Sequence, residues 1–116
     1  MATEDDAVND ELQSSLNHFG VYSLTDEYWR LSEDERTALQ VSWAEKTSCV
    51  AEGVRHYRTS PTRVGSDFIL WCALRMKENS DSQTFFAAYA HALRPFRRYV
   101  SMVDVLWGFT RNTQYR

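Results

Sequence analysis

The chain has 116 residues, a formal net charge of −3 at pH 7, and 43% hydrophobic and 14% aromatic residues. That is the size and composition of one globular domain, and it excludes a large multidomain enzyme. No apolar run approaches the roughly 18–20 residues needed to cross a bilayer, and the acidic start Met1–Glu11 lacks the features of a signal peptide, so a soluble cytoplasmic protein is expected, with no membrane partner.

Glu4, Asp5, Asp6, Asp10 and Glu11 crowd the first dozen residues, where no basic residue stands. With little there to bury, Met1–Asn17 is expected to be a mobile acidic tail and residues 18–116 a single domain. His18–Ser23 is a short aromatic and β-branched run that predicts a first strand, ended by polar turn material at Thr25–Glu27. Ser32 and Glu35 are spaced as a capping box. Leu39, Trp43, Lys46 and Val50 then recur at helical spacing up to a stop at Gly53.

Val54–Thr59 and Asp67–Met76 predict an antiparallel pair of strands around Ser60–Gly65, which carries proline and glycine turn chemistry. Ser80 and Gln83 form a second capping-box pattern. Phe85, Phe86, Tyr89, Leu93 and Phe96 follow as one helical stripe, which Pro95 should end near His91–Arg94. Val103–Arg111 is the last strand. The order β-α-β-β-α-β predicts an α+β, ferredoxin-like split βαβ fold, with a four-stranded antiparallel sheet and two helices on one face.

The third and fourth strands are apolar on both faces. Ile69, Trp71 and Ala73 alternate with Phe68, Leu70, Cys72 and Leu74, while Val103, Val105, Trp107 and Phe109 alternate with the mixed set Asp104, Leu106 and Gly108. Two helices cover only one face. About 500 Å² of apolar surface left exposed would forgo on the order of 12 kcal/mol of burial at ~25 cal/mol per Å². A homo-oligomer joined through its sheet face, in a dimeric α/β-barrel type of assembly, is therefore expected, with Ile69, Trp71, Val105, Trp107 and Phe109 lining the interface or a cavity within it.

The order of elements and three stretches of sequence resemble the N-terminal half of the chlorite dismutase family, which includes the coproheme decarboxylases. The stretches are HFGVYSLTDEYWRLSEDER from His18, GSDFILWCALR from Gly65, and FRRYVSMVDVLWGFTRNTQY, which closes at Tyr115. Within them the helix start (Trp29, Leu31, Ser32, Glu35, Arg36), the strand Asp67–Trp71 and the final tyrosine carry the likeness. The resemblance implies two ferredoxin-like halves with facing sheets and a ring assembly, with heme held by a proximal histidine in the C-terminal half. This chain ends before that half. Laid over the heme-binding half through Glu35 and Arg36, its own first helix puts Trp43 near the proximal histidine's place, and tryptophan does not ligate iron.

Three function classes follow. The first is a heme-free structural or interaction member of the family, with no cofactor, that oligomerises through its sheet. The second is a heme- or coproheme-binding oxidoreductase, alone or with a separate heme-carrying subunit. The third is a cofactor-free monooxygenase-like enzyme with a cavity near Trp71 or Trp107. The chain leans away from being an enzyme on its own, because no nucleophile motif or glycine-rich phosphate loop is present and no catalytic residue is assigned.

Of the histidines His18, His56 and His91, alternation puts His56 on one face of its strand with Arg58, and that pair is the best candidate for holding a heme or an anionic ligand. Tyr115 joins them through the resemblance, which aims a terminal tyrosine at the pocket. His18 and His91 read as a partly exposed strand histidine and a solvated helix-end histidine. Cys49 and Cys72 read as buried free thiols, too few for a disulfide framework or a metal site. The arginines Arg55, Arg58 and Arg63, and Arg94, Arg97, Arg98, Arg111 and Arg116, read as a solvated face. No nucleic-acid partner is expected of an acidic chain without a recognition motif.

Overall fold

β1 (Ser14–Leu24) pairs antiparallel on both sides, with β3 (Phe68–Met76) and with β4 (Val100–Arg111), and β2 (Gly53–Arg58) completes the sheet beside β3. The strand order β2-β3-β1-β4 is that of the split βαβ plan expected from the sequence. These elements are seen in a computed structural model that describes residues 14–59 and 65–111. The acidic residues of 1–13, residues 60–64 with Arg63, expected from the sequence as a turn, and 112–116 with Tyr115 and Arg116 lie outside the described residues. Among those described, no helix is long and apolar enough to cross a membrane.

β1 begins four residues before the expected strand, so Ser14–Asn17 belong to the sheet and not to a tail. Their polar sequence is compatible with pairing because neighbours on both sides, Met76 to Ala73 and Arg111 to Gly108, satisfy the backbone. Thr25–Glu27, expected as a turn, starts the short helix α1 (Asp26–Trp29), with the Thr25 hydroxyl accepting from Tyr28 N.

The longer helix α2 (Glu33–Thr47) opens on the capping box read from the sequence. The Ser32 hydroxyl accepts from Glu35 N and the Glu35 carboxylate from Ser32 N. It ends at Thr47, well before Gly53. Thr47 Oγ1 donates back to the Trp43 carbonyl at 2.8 Å and Ser48 Oγ to that of Glu45 at 2.8 Å, local bonds that compete with further helix. Cys49 is therefore in an exposed turn, a correction to its expected burial, while Cys72 is buried in the core. Burial pushes the Cys72 thiol up to about 12.

α3 (Asp81–Leu93) starts differently from the sequence reading. Ser80 makes no capping bond, and the Asp81 carboxylate accepts from Lys77 N at 2.7 Å and Glu78 N at 2.9 Å instead. Pro95 ends the helix where expected, after Leu93. It sits inside a 3-10 turn, Arg94–Phe96, where its missing N–H costs nothing, and β4 then begins at Val100, three residues earlier than expected.

The helices cover one side of the sheet. Leu16 and Tyr22 from β1 and Leu70 and Cys72 from β3 pack there against Trp43, Phe85, Tyr89 and Phe96. Between them the hydroxyls of Tyr22 and Tyr89 share a buried hydrogen bond above Gly20, where an added Cβ would lie 2.6 Å from Tyr89 Oη and 2.7 Å from Tyr22 Cε2. In β4 one residue is bulged. Tyr22 pairs with Met102 and Val21 with Asp104, so Val103 stands outside the ladder.

Candidate functional site

The residues that carry the sequence resemblance build a corner. Arg36 Nη1 donates to the carbonyls of Trp29 and Leu31, closing the link between α1 and α2, and its guanidinium lies 5.8 Å from the Trp29 ring centre. The Asp67 Oδ2 atom accepts from Leu24 N at 2.7 Å and from Ser23 Oγ at 3.4 Å, fixing the end of β1 to β3. These contacts hold α1 and α2 over the β2–β3 edge, where a groove of about 780 Å³ opens.

The groove contains the expected pair. His56 and Arg58 share the helix side of β2, opposite Leu70 and Phe68, while Arg55 and Tyr57 take the other side. Trp43, which stands where the resemblance would put a heme ligand, instead donates its indole N–H to His56 Nε2 at 2.9 Å. A hydrogen bond accepted at Nε2 requires the neutral imidazole with its proton on Nδ1. Burial holds the His56 imidazole below its ordinary range, in the same direction. Tyr28 and Gln40 also line the groove, Gln40 Nε2 donating to the Tyr28 hydroxyl at 2.7 Å. Neither was singled out in the sequence. Gln40 lies three residues before Trp43 on α2 and Tyr28 on the separate helix α1, and no spacing rule joins either to His56.

His18 is not partly exposed. It is 3% exposed on the helix side of β1, with its ring 4.6 Å from Tyr89 and 5.6 Å from Phe85. Among the described residues its Nδ1 is the buried side-chain polar atom without a hydrogen-bond partner, and burial lowers its pKa. His91 is exposed on α3, outside the groove.

Among the described residues, neither His56 nor His18 fits axial ligation of a heme iron. His56 Nε2 already receives a hydrogen, and His18 is packed among Phe85, Phe86 and Tyr89. Among the described residues no group of three or more histidine, cysteine, aspartate or glutamate side chains is placed to hold a metal ion.

The five apolar residues expected at an interface divide between the two sides of the sheet. Ile69 and Trp71 lie on the open side, away from the helices. Trp71 stacks there between Phe19, at 5.5 Å, and Tyr57, at 6.3 Å, and Leu106 on β4 extends the row at 71% exposed. Trp71 Nε1 donates to Asn17 Oδ1, and Asn17 Nδ2 to Thr110 Oγ1, a polar link across three strands beside these rings. Val105, Trp107 and Phe109 pair with Gly20, His18 and Leu16, so they lie on the helix side. They stay about half exposed because the helix layer ends short of the sheet's edge, with Phe86 reaching Trp107 at 5.3 Å. Arg55, Arg58, Arg94, Arg97 and Arg98 are exposed, as a solvated face requires, and Arg98 pairs with Glu27.

No family model matches the sequence, and no curated protein matches it. By fold the chain is similar to chlorite dismutase from Candidatus Nitrospira defluvii. It matches the structure in complex with imidazole with a TM-score of 0.59 and 19% identity over 87% of this chain. A variant of that enzyme matches with a TM-score of 0.60 and 18% identity over 85%. The chain spans only 41–42% of the length of those proteins. It is also similar to a dimeric ferredoxin-like protein of unknown function from Thermobifida fusca YX, with a TM-score of 0.54 and 10% identity over 84% of this chain and 91% of that one. The fold is thus an α+β, ferredoxin-like domain of the kind found in chlorite dismutase. The likeness read from the sequence holds at the level of fold.

Proposed function

We propose that this chain, a chlorite dismutase-like ferredoxin-like domain, acts by association, without a resident heme, burying the open side of its sheet against a second copy of itself. One observation carries this reading. The open side of the sheet, away from the helices, carries the stacked row Phe19, Trp71 and Tyr57, and Leu106 beside it on the edge strand β4 is 71% exposed. An uncovered apolar sheet face invites a partner, and a two-fold copy is the commonest one. The description of the Thermobifida fusca neighbour as dimeric supports the same reading.

Sedimentation velocity tests it. The wild type should sediment as a dimer or larger species, and Leu106→Glu as a monomer with an unchanged circular dichroism spectrum. Val41→Glu, on the exposed side of α2, should leave the assembly intact. A wild type that is monomeric at every concentration, or an assembly indifferent to Leu106→Glu, would overturn the reading.

A further inference from the structure

We propose that the groove beside His56 binds a small aromatic carboxylate. The site is independent of the association reading, because it opens on the helix side of the sheet while the proposed interface is on the other. Its volume, about 780 Å³, suits a small molecule, and its walls include the rings of Tyr28, Trp43, Phe68 and Phe96.

Three of the side chains in its lining can donate a hydrogen bond. The Tyr28 hydroxyl accepts from Gln40, so its own hydrogen is free to be given. His56 has its Nε2 filled by the Trp43 indole hydrogen, so its remaining ring nitrogen is a donor. Arg58 adds a guanidinium that makes no ion pair among the described residues. The carboxylate in the lining, Asp67, has Oδ2 committed to Leu24 N and Ser23 Oγ.

Tyr28, His56 and Arg58 set donors among aromatic walls and suit a ligand whose polar end accepts. A carboxylate does so, and the planar fork of arginine matches its two oxygens in a pair of parallel bonds. A flat ring attached to that carboxylate would complement the aromatic walls.

The test is a titration of the ¹⁵N-labelled full chain with 2-naphthoate, followed at the Trp43 indole N–H, the signal assigned by its loss in Trp43→Phe. The uncharged analogue 2-naphthylmethanol is titrated in parallel. The expected result is a saturable shift for the acid, with binding weakened by about tenfold or more for the alcohol and for the acid in Arg58→Gln, the size of one lost charge-assisted pair. Arg58 is exposed on an edge strand, so Arg58→Gln should keep the remaining spectrum unchanged. Absence of a saturable shift, equal binding of acid and alcohol, or binding of the acid unaffected by Arg58→Gln would each overturn the proposal.

Discussion

The Trp43 indole N–H points at His56 Nε2 across 2.9 Å, joining the middle of α2 to the edge strand β2 and committing the imidazole to its neutral form. His18, on the central strand, is held neutral by burial alone. Both imidazoles resist protonation in the folded protein, whereas the unfolded chain takes up protons near the ordinary value of 6.5. Their contribution to stability is therefore complete above that pH and is lost as pH falls through it toward the lowered folded values. The urea midpoint should drop between pH 7.5 and pH 5.5, and His18→Leu, which removes the unpaired Nδ1, should flatten that drop. A midpoint that stays level, or rises on acidification, would contradict the assignment.

Gly20 and Gly108 should respond to alanine with opposite signs. At Gly20 a methyl group meets the hydroxyl ends of Tyr22 and Tyr89 at less than contact distance, in a buried pair with no room to retreat. An overpacking cost of about 1–3 kcal/mol is expected. At Gly108 nothing lies within 4 Å of the added Cβ, and alanine in a strand interior should gain roughly 0.5–1 kcal/mol. Chemical denaturation of the two variants decides the matter, and equal effects would sink it.

The two helix starts make a paired test of capping. Ser32→Ala removes a hydroxyl that accepts from Glu35 N and should cost about 1 kcal/mol. Ser80→Ala removes a side chain that makes no capping bond, and its unfolding midpoint should match the wild type. A larger loss at Ser80 than at Ser32 would show that the start of α3 is misread.

Hemin added to the purified protein should give no saturable, stoichiometric Soret band, because His56 Nε2 is already engaged and His18 is enclosed by Phe85, Phe86 and Tyr89. A stoichiometric band that disappears in His56→Ala would reverse this expectation and make the groove a heme site.

The four strands and two principal helices were legible because each carries its own period or cap within a few residues, as at Ser32–Glu35 and in the stripe from Phe85 to Phe96. What escaped depends on neighbours distant in sequence. Ser14–Asn17 look like tail until β3 and β4 flank them, and a four-residue helix such as α1 is too short to show a period. The pair His56 and Arg58 follows from simple alternation. Its partner Trp43 comes from another element and meets it only in the fold. The side taken by Val105, Trp107 and Phe109 was also hidden, since alternation sorts residues into two sets without saying which set meets the helices. Leu106, ranked with Asp104 in a mixed set, is the strand's open-side apolar residue.

The residue that β4 holds outside its ladder gives that strand a slack of one. Removing Val103 leaves Met102 and Asp104 opposite Tyr22 and Val21 as they already are, and removing Asp104 lets Val103 slide into the vacant rung. Either loss of a single codon keeps Trp107 and Leu106 on their own sides of the sheet. β3 runs against β1 and β2 with no shift of register, so the same loss there has nothing to absorb it. From that point on it would exchange core for surface. Natural length variation in this domain should therefore be found around Val103 and be absent from the middle of β3.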